Sequence, residues 1–187
     1  MRFFTLLIFF FLVLAAKAQE VVIEDRYNEI FGPKPAFVYT VRSSFNADDV
    51  NIGLELGRTN AKRNFLYAFS FDARPFRRPL LVYQGGALYY QLREERYFVG
   101  GAAQYNRSFS EKKIGAFAQM GVNYTWGNYG GSDQKPPKGW VLVPRMGLSY
   151  KITERSILKL GYAYIDTKTS ALDNHRIFLS YSFIGSR

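Results

Sequence analysis

From Ile114 to Trp126 every second residue is apolar: Ile114, Ala116, Ala118, Met120, Val122, Tyr124 and Trp126. Residues two apart share one face of an extended chain, so this run reads as a strand with one unbroken apolar face. The positions between them, Gly115, Gln119, Gly121, Asn123 and Thr125, are small or polar, with Phe117 the exception. Its thirteen residues exceed the five or six typical of soluble strands and pass the roughly 9 to 11 that a tilted membrane strand requires. A chain built from such strands needs an apolar environment on one side and a polar one on the other.

The pattern recurs. Phe37, Tyr39, Val41 and Phe45 share a face before a turn at Asn46 to Asp49, and Val50, Ile52, Leu54 and Leu56 face away from Asn51, Gly53, Glu55 and Gly57. Phe65, Tyr67, Phe69 and Phe71 oppose Ala68, Ser70 and Asp72. Two prolines and three arginines between Asp72 and Pro79 read as a turn. Leu80 to Leu92 and Tyr97 to Phe109 read as a hairpin about Arg93-Glu94-Glu95-Arg96, each arm carrying a glycine pair, Gly85-Gly86 and Gly100-Gly101. Trp140, Leu142, Met146, Leu148 and Tyr150 oppose Arg145, Gly147, Ser149 and Lys151, and Leu158, Leu160, Tyr162 and Tyr164 oppose Lys159, Gly161 and Ala163. In the last strand Ile177, Leu179, Tyr181 and Phe183 face away from Arg176, Ser180 and Ser182, and Phe178 breaks the alternation.

These runs predict an all-β, closed antiparallel transmembrane β-barrel, the arrangement that satisfies every backbone hydrogen bond in lipid without an open edge. Nine runs are counted, whereas bacterial single-chain barrels have an even number. Eight strands follow if one run lies outside the barrel or is irregular, and ten if Glu20 to Phe31 adds one. Counting back from the last strand, the links alternate long and short: Asp166 to Asn174, Thr153 to Arg155, Gly127 to Gly139, Ser110 to Lys113. That asymmetry is expected when one barrel end faces outward and the other the periplasm. Arg93 to Arg96 departs from it, being a short link where a long one is due. The rival architecture is a soluble periplasmic β-protein, but charges on the polar faces would be costly in a dry core.

Composition fits an exported barrel. Met1-Arg2, the apolar run Phe3 to Leu14 and Ala16-Lys17-Ala18 make the three parts of a signal peptide over residues 1–18. Residues 19–35 read as a periplasmic lead-in and 36–187 as the barrel. The chain has 14 Tyr, 17 Phe and no Cys, so neither a disulfide nor a lipid-anchored cysteine is available. Tyr suits the two water-lipid boundaries of a membrane protein. The formal charge of +10, or +8 after loss of the signal, favours anionic surroundings such as lipid phosphates. Export and the lack of a nucleic-acid module argue against nucleic acid.

The chain resembles the small outer-membrane β-barrel proteins of Gram-negative bacteria, and its style is similar to that of the Bacteroidota ones. The resemblance is carried by the signal peptide, by Gly-Trp-Val-Leu-Val-Pro-Arg-Met-Gly-Leu-Ser-Tyr at 139–150 and by Leu160-Gly161-Tyr162-Ala163-Tyr164. Leu179, Tyr181 and Phe183 resemble the final-strand signal read by the barrel-assembly machinery, although Ile184-Gly185-Ser186-Arg187 follow the aromatic residue that ends that signal elsewhere. The resemblance implies an architecture and no activity.

Three function classes are open to such a chain. For a hydrolase, the sole histidine, His175, has Asp173 and Ser170 near it in sequence, but Ser180 and Ser182 fall on the opposite face. Asp166 and Asp173 are the acids that a rim protease would use, and no cofactor or metal is expected. For a lipid- or small-solute-handling barrel, eight strands leave an interior that side chains fill, with Glu55, Arg145 and Lys159 as a lumen charge network. For a structural or interaction barrel, the favoured class, the contact surface is the loop Gly127 to Gly139, with Tyr129, Asp133, Lys135 and Lys138. Its expected partners are outer-membrane lipids, the barrel-assembly machinery and an envelope protein.

Overall fold

Each barrel strand pairs antiparallel with its neighbour, and β1 meets the last strand, so the sheet closes on itself. The computed structural model describes residues 34–185 apart from 48, 78, 79, 110–112, 131, 132, 134 and 166–173. The signal peptide, nearly all of the lead-in, Asp166, Ser170 and Asp173 lie outside the described residues. The strands are β1 (Phe37–Phe45), β2 (Asp49–Thr59), β3 (Phe65–Arg77), β4 (Leu80–Gln84), β5 (Ala87–Ser108), β6 (Ile114–Gly130), β7 (Gly139–Thr153), β8 (Ser156–Tyr164) and β9 (His175–Ile184). The sheet order β3-β2-β1-β9-β8-β7-β6-β5-β4, with β3 also paired to β5, closes an eight-stranded ring from which β4 is excluded.

Two turns expected from the sequence are strand. The segment Arg93 to Arg96 lies within β5 and pairs with Gly127 to Gly130 of β6. Its charges alternate in burial, with Glu94 and Arg96 inward and Arg93 and Glu95 toward solvent, which gives a charged composition without a turn. Asp72 to Arg77 likewise belongs to β3, where Asp49 pairs with Arg77. The real turn is Gly85-Gly86, with φ of 61° and 81°. Two consecutive positive φ values are the demand of a tight two-residue hairpin, which glycine meets without strain. The β4–β5 hairpin is therefore the long link between β3 and the barrel part of β5, which removes the departure at Arg93 to Arg96.

At the terminal end the links are short. Asn60 ties the β2–β3 link by donating through Nδ2 to Asn64 at 2.6 Å, while its Oδ1 accepts from the Phe65 N–H at 3.1 Å. Thr153 pairs with Ser156 around a two-residue turn. The β1–β2 link at the other end, the loop end, is also short, closed by the Asp49 N–H donating to Asn46 Oδ1 at 2.8 Å.

The apolar faces point out. Trp140, Leu142, Met146 and Leu148 are all more than half exposed, as are Tyr67 and Phe69. Aromatic side chains collect at the strand ends. Tyr97, Trp126, Tyr124 and Trp140 follow one another at 5.8, 6.4 and 5.5 Å between ring centres toward the loop end, and Phe65 lies 5.1 Å from Tyr105 toward the other. Aliphatic side chains such as Leu148 and Leu160, which are paired across β7 and β8, lie between. Two aromatic girdles around an aliphatic band match the profile of a bilayer.

Candidate functional site

The inward faces of strands closed into a narrow ring can only meet one another, so the barrel interior is where polar residues far apart in sequence converge. Among the described residues, its buried apolar side chains form three main clusters. Ala36, Val38, Leu66, Ala68 and Ile184 sit toward the terminal end, Phe117, Ala163 and Phe178 in the middle, and Phe98, Val141, Val143 and Ile165 toward the loop end. Phe178, the breach in the last strand's alternation, is inward and packs edge-on against Phe117 at 5.9 Å. It is filling, not a fault in the strand.

A charged network crosses the lumen. Arg42 of β1 pairs with Glu55 of β2 and donates to Asp72 Oδ1 of β3 at 2.6 Å. Arg145 of β7 reaches the same two acids from the other wall, at 3.5 Å to Glu55 and 3.4 Å to Asp72. Gln119 of β6 donates to both Glu55 carboxylate oxygens at 3.2 Å and accepts from Arg145 at 3.1 Å. Two arginines face two carboxylates, so the cluster is neutral. Each ion is desolvated, and its pairs offset that cost only while the set is complete.

Of the three lumen charges expected from the sequence, Glu55 and Arg145 meet in this network. Lys159 lies apart: its ammonium donates to Gln104 Oε1 at 3.0 Å and sits 5.4 Å from the Phe117 ring centre. Arg42, Asp72 and Gln119 were not singled out, although each has the inward parity of its strand. That parity was the available signal.

A second charged group lies toward the loop end. Asp49 is flanked by Arg74, at 3.4 Å, and Arg176, while Arg96 pairs with Glu94. Arg96 also donates to Thr125 Oγ1 at 3.4 Å and to the Pro137 carbonyl. This last bond ties the β6–β7 loop to the barrel wall. The loop is shorter than expected, because β6 continues to Gly130 and places Tyr129 in a strand opposite Glu94. Asp133, Lys135 and Lys138 are exposed in the loop itself.

Leu179, Tyr181 and Phe183 lie on the outer face of β9, between β1 and β8, and Tyr181 donates to Ser156 Oγ at 2.7 Å. His175 is also outward, beside Tyr162 and Tyr164, whereas Ser180 and Ser182 are buried in the lumen. The sheet thus separates the imidazole from both hydroxyls.

No family model and no curated protein sequence matches the chain. Solved structures do. The N-terminal β-barrel domain of Pseudomonas aeruginosa OprF aligns with a TM-score of 0.57 at 12% identity, over 82% of this chain and 98% of that one. Neisserial surface protein A aligns at 0.53 and 14% identity, over 80% of this chain and 94% of that one. The fold is that of a small outer-membrane barrel. OprG of P. aeruginosa, at 0.50 and 15% identity, covers 82% of this chain and 94% of that one. At these identities the likeness extends to architecture, an all-β, closed antiparallel eight-stranded barrel.

Proposed function

We propose that this chain is exported by its signal peptide to the outer membrane and acts there as a closed, non-enzymatic barrel with a structural or interaction role in the envelope. The observation that carries the reading is the network of Arg42, Glu55, Asp72, Gln119 and Arg145, which joins five strands across the lumen. An eight-stranded barrel is narrow, and a desolvated neutral cluster across it opposes ion passage. Leu179, Tyr181 and Phe183 act as the assembly signal, and the terminal end faces the periplasm. Asp133, Lys135 and Lys138 present the contact surface for an envelope partner.

Conductance in a planar bilayer tests the closed lumen. The protein should give no sustained channel steps, and reproducible steps overturn the reading. Cell fractionation with heat-modifiable gel migration tests the location, which recovery in the soluble periplasm would refute. Deleting residues 131–137, which spares the paired Tyr129, should leave a folded barrel that loses its partner or phenotype.

A further inference from the structure

The terminal half of the barrel holds a cavity of about 190 Å³ to which all eight barrel strands contribute. Its charged lining is one-sided. Arg63, Lys113, Lys151 and Lys159 line it against a single acid, Glu154, while Arg107 borders it from the outward face of β5. Lys151 is engaged by Glu154 at 2.5 Å. Among the described residues, Arg63, Lys113 and Lys159 have no ion-pair partner, and the nearby lumen carboxylate, Glu55, is held by Arg42 and Arg145. Lys159 is the inner member: only 4% exposed, with Gln104 Oε1 as its hydrogen-bonding partner.

A buried ammonium with donors to spare, beneath a rim of two further unpaired cations, is costly without a counter-charge. Val38, Leu66, Ile157 and Ile184 give the wall an apolar part beside the polar Thr59, Gln104, Asn106, Ser149 and Ser182. We infer that this cavity is a binding site for a phosphate-class anion, held by Lys159 within and by Arg63 and Lys113 at the mouth. Arginine favours phosphate because its planar donors engage two oxygens together, and lysine adds a point charge. The phosphate belongs to a lipid headgroup or to a free anion, and the apolar wall accommodates either a glycerol stem or nothing.

The test is calorimetric titration of the full barrel in a phosphate-free maltoside detergent at low salt, with inorganic phosphate in one arm and dihexanoyl phosphatidic acid in the other. Saturable binding at one site per chain is expected in at least one arm, about fivefold weaker in Lys113→Gln and about tenfold weaker in Lys159→Gln, with Lys159→Arg restoring most of the affinity. Binding of inorganic phosphate assigns a free anion, and binding of the lipid alone assigns a headgroup. Heat-modifiable migration verifies folding. Should Lys159→Gln fail to fold, Lys113→Gln, at the exposed mouth, decides. No saturable binding in either arm, or binding that the substitutions leave unchanged, overturns the proposal.

Discussion

Arg42 on β1 and Asp72 on β3 join across the intervening strand β2, at 2.6 Å, because Gly53 stands between them. A Cβ at Gly53 would lie 2.1 Å from Asp72 Oδ1 and 2.8 Å from the Arg42 guanidinium. The missing side chain is therefore what lets the pair pass over the strand. Gly53→Ala should destabilise the barrel by roughly 1–3 kcal/mol, as overpacking of a filled interior does. Urea unfolding in lipid vesicles measures it, and Asp72→Ala in the same chain should remove much of the penalty through coupling.

Removing one member of the network is worse than weakening it. Arg42→Ala leaves Glu55 and Asp72 with only Arg145 between them and should cost about 3–5 kcal/mol, the usual penalty for an uncompensated buried charge. The same unfolding assay reads it. A loss below about 1 kcal/mol would mean that water already screens the cluster as it screens surface pairs.

Adjacent glycines in β5 should respond differently. A Cβ on Gly100 would lie 2.0 Å from the Val122 carbonyl oxygen, whereas one on Gly101 would meet nothing closer than 3.9 Å. The backbone of β6 cannot retreat without breaking its ladder. Gly100→Ala should lower the unfolding midpoint clearly, and Gly101→Ala should leave it nearly unchanged.

Immersion of the outer face can be tested at Leu148, which is 59% exposed and lies opposite Leu160. Leu148→Arg should cost roughly 2–4 kcal/mol in a bilayer, the penalty for a charge near its midplane. In a soluble barrel the same change would be neutral or would improve solubility. Folding yield into vesicles separates the two.

The β4 hairpin pairs only with Ala87 to Leu92 of β5, outside the ring. Replacing residues 78–92 with an Asn-Gly turn should leave a closed barrel that still shows heat-modifiable migration. Loss of folding would make the hairpin part of the barrel's stability and not an appendage.

The alternation of side chains was legible from the start, because a period of two assigns each strand residue to a face whatever the partner. It placed Leu54, Met120, Leu148 and Leu179 outside and Glu55, Asn123, Arg145 and Lys159 inside. It also left nine runs for an even-numbered barrel. What the local pattern could not decide was where a charged stretch turns. Arg93 to Arg96 stays extended only because Gly127 to Gly130 lies alongside to take its backbone hydrogen bonds.

The separation of Lys159 from Glu55 and the recruitment of Arg42, Asp72 and Gln119 were equally beyond the one-dimensional pattern. Parity says that these side chains share an interior, but strand register and shear decide their height along the barrel. The amino-acid sequence by itself determined the two faces of each strand, and with them a barrel that shows lipid an apolar surface. Only the tertiary structure decided which inward charges meet, because that depends on backbone pairing around the closed ring and on the gaps left by residues such as Gly53.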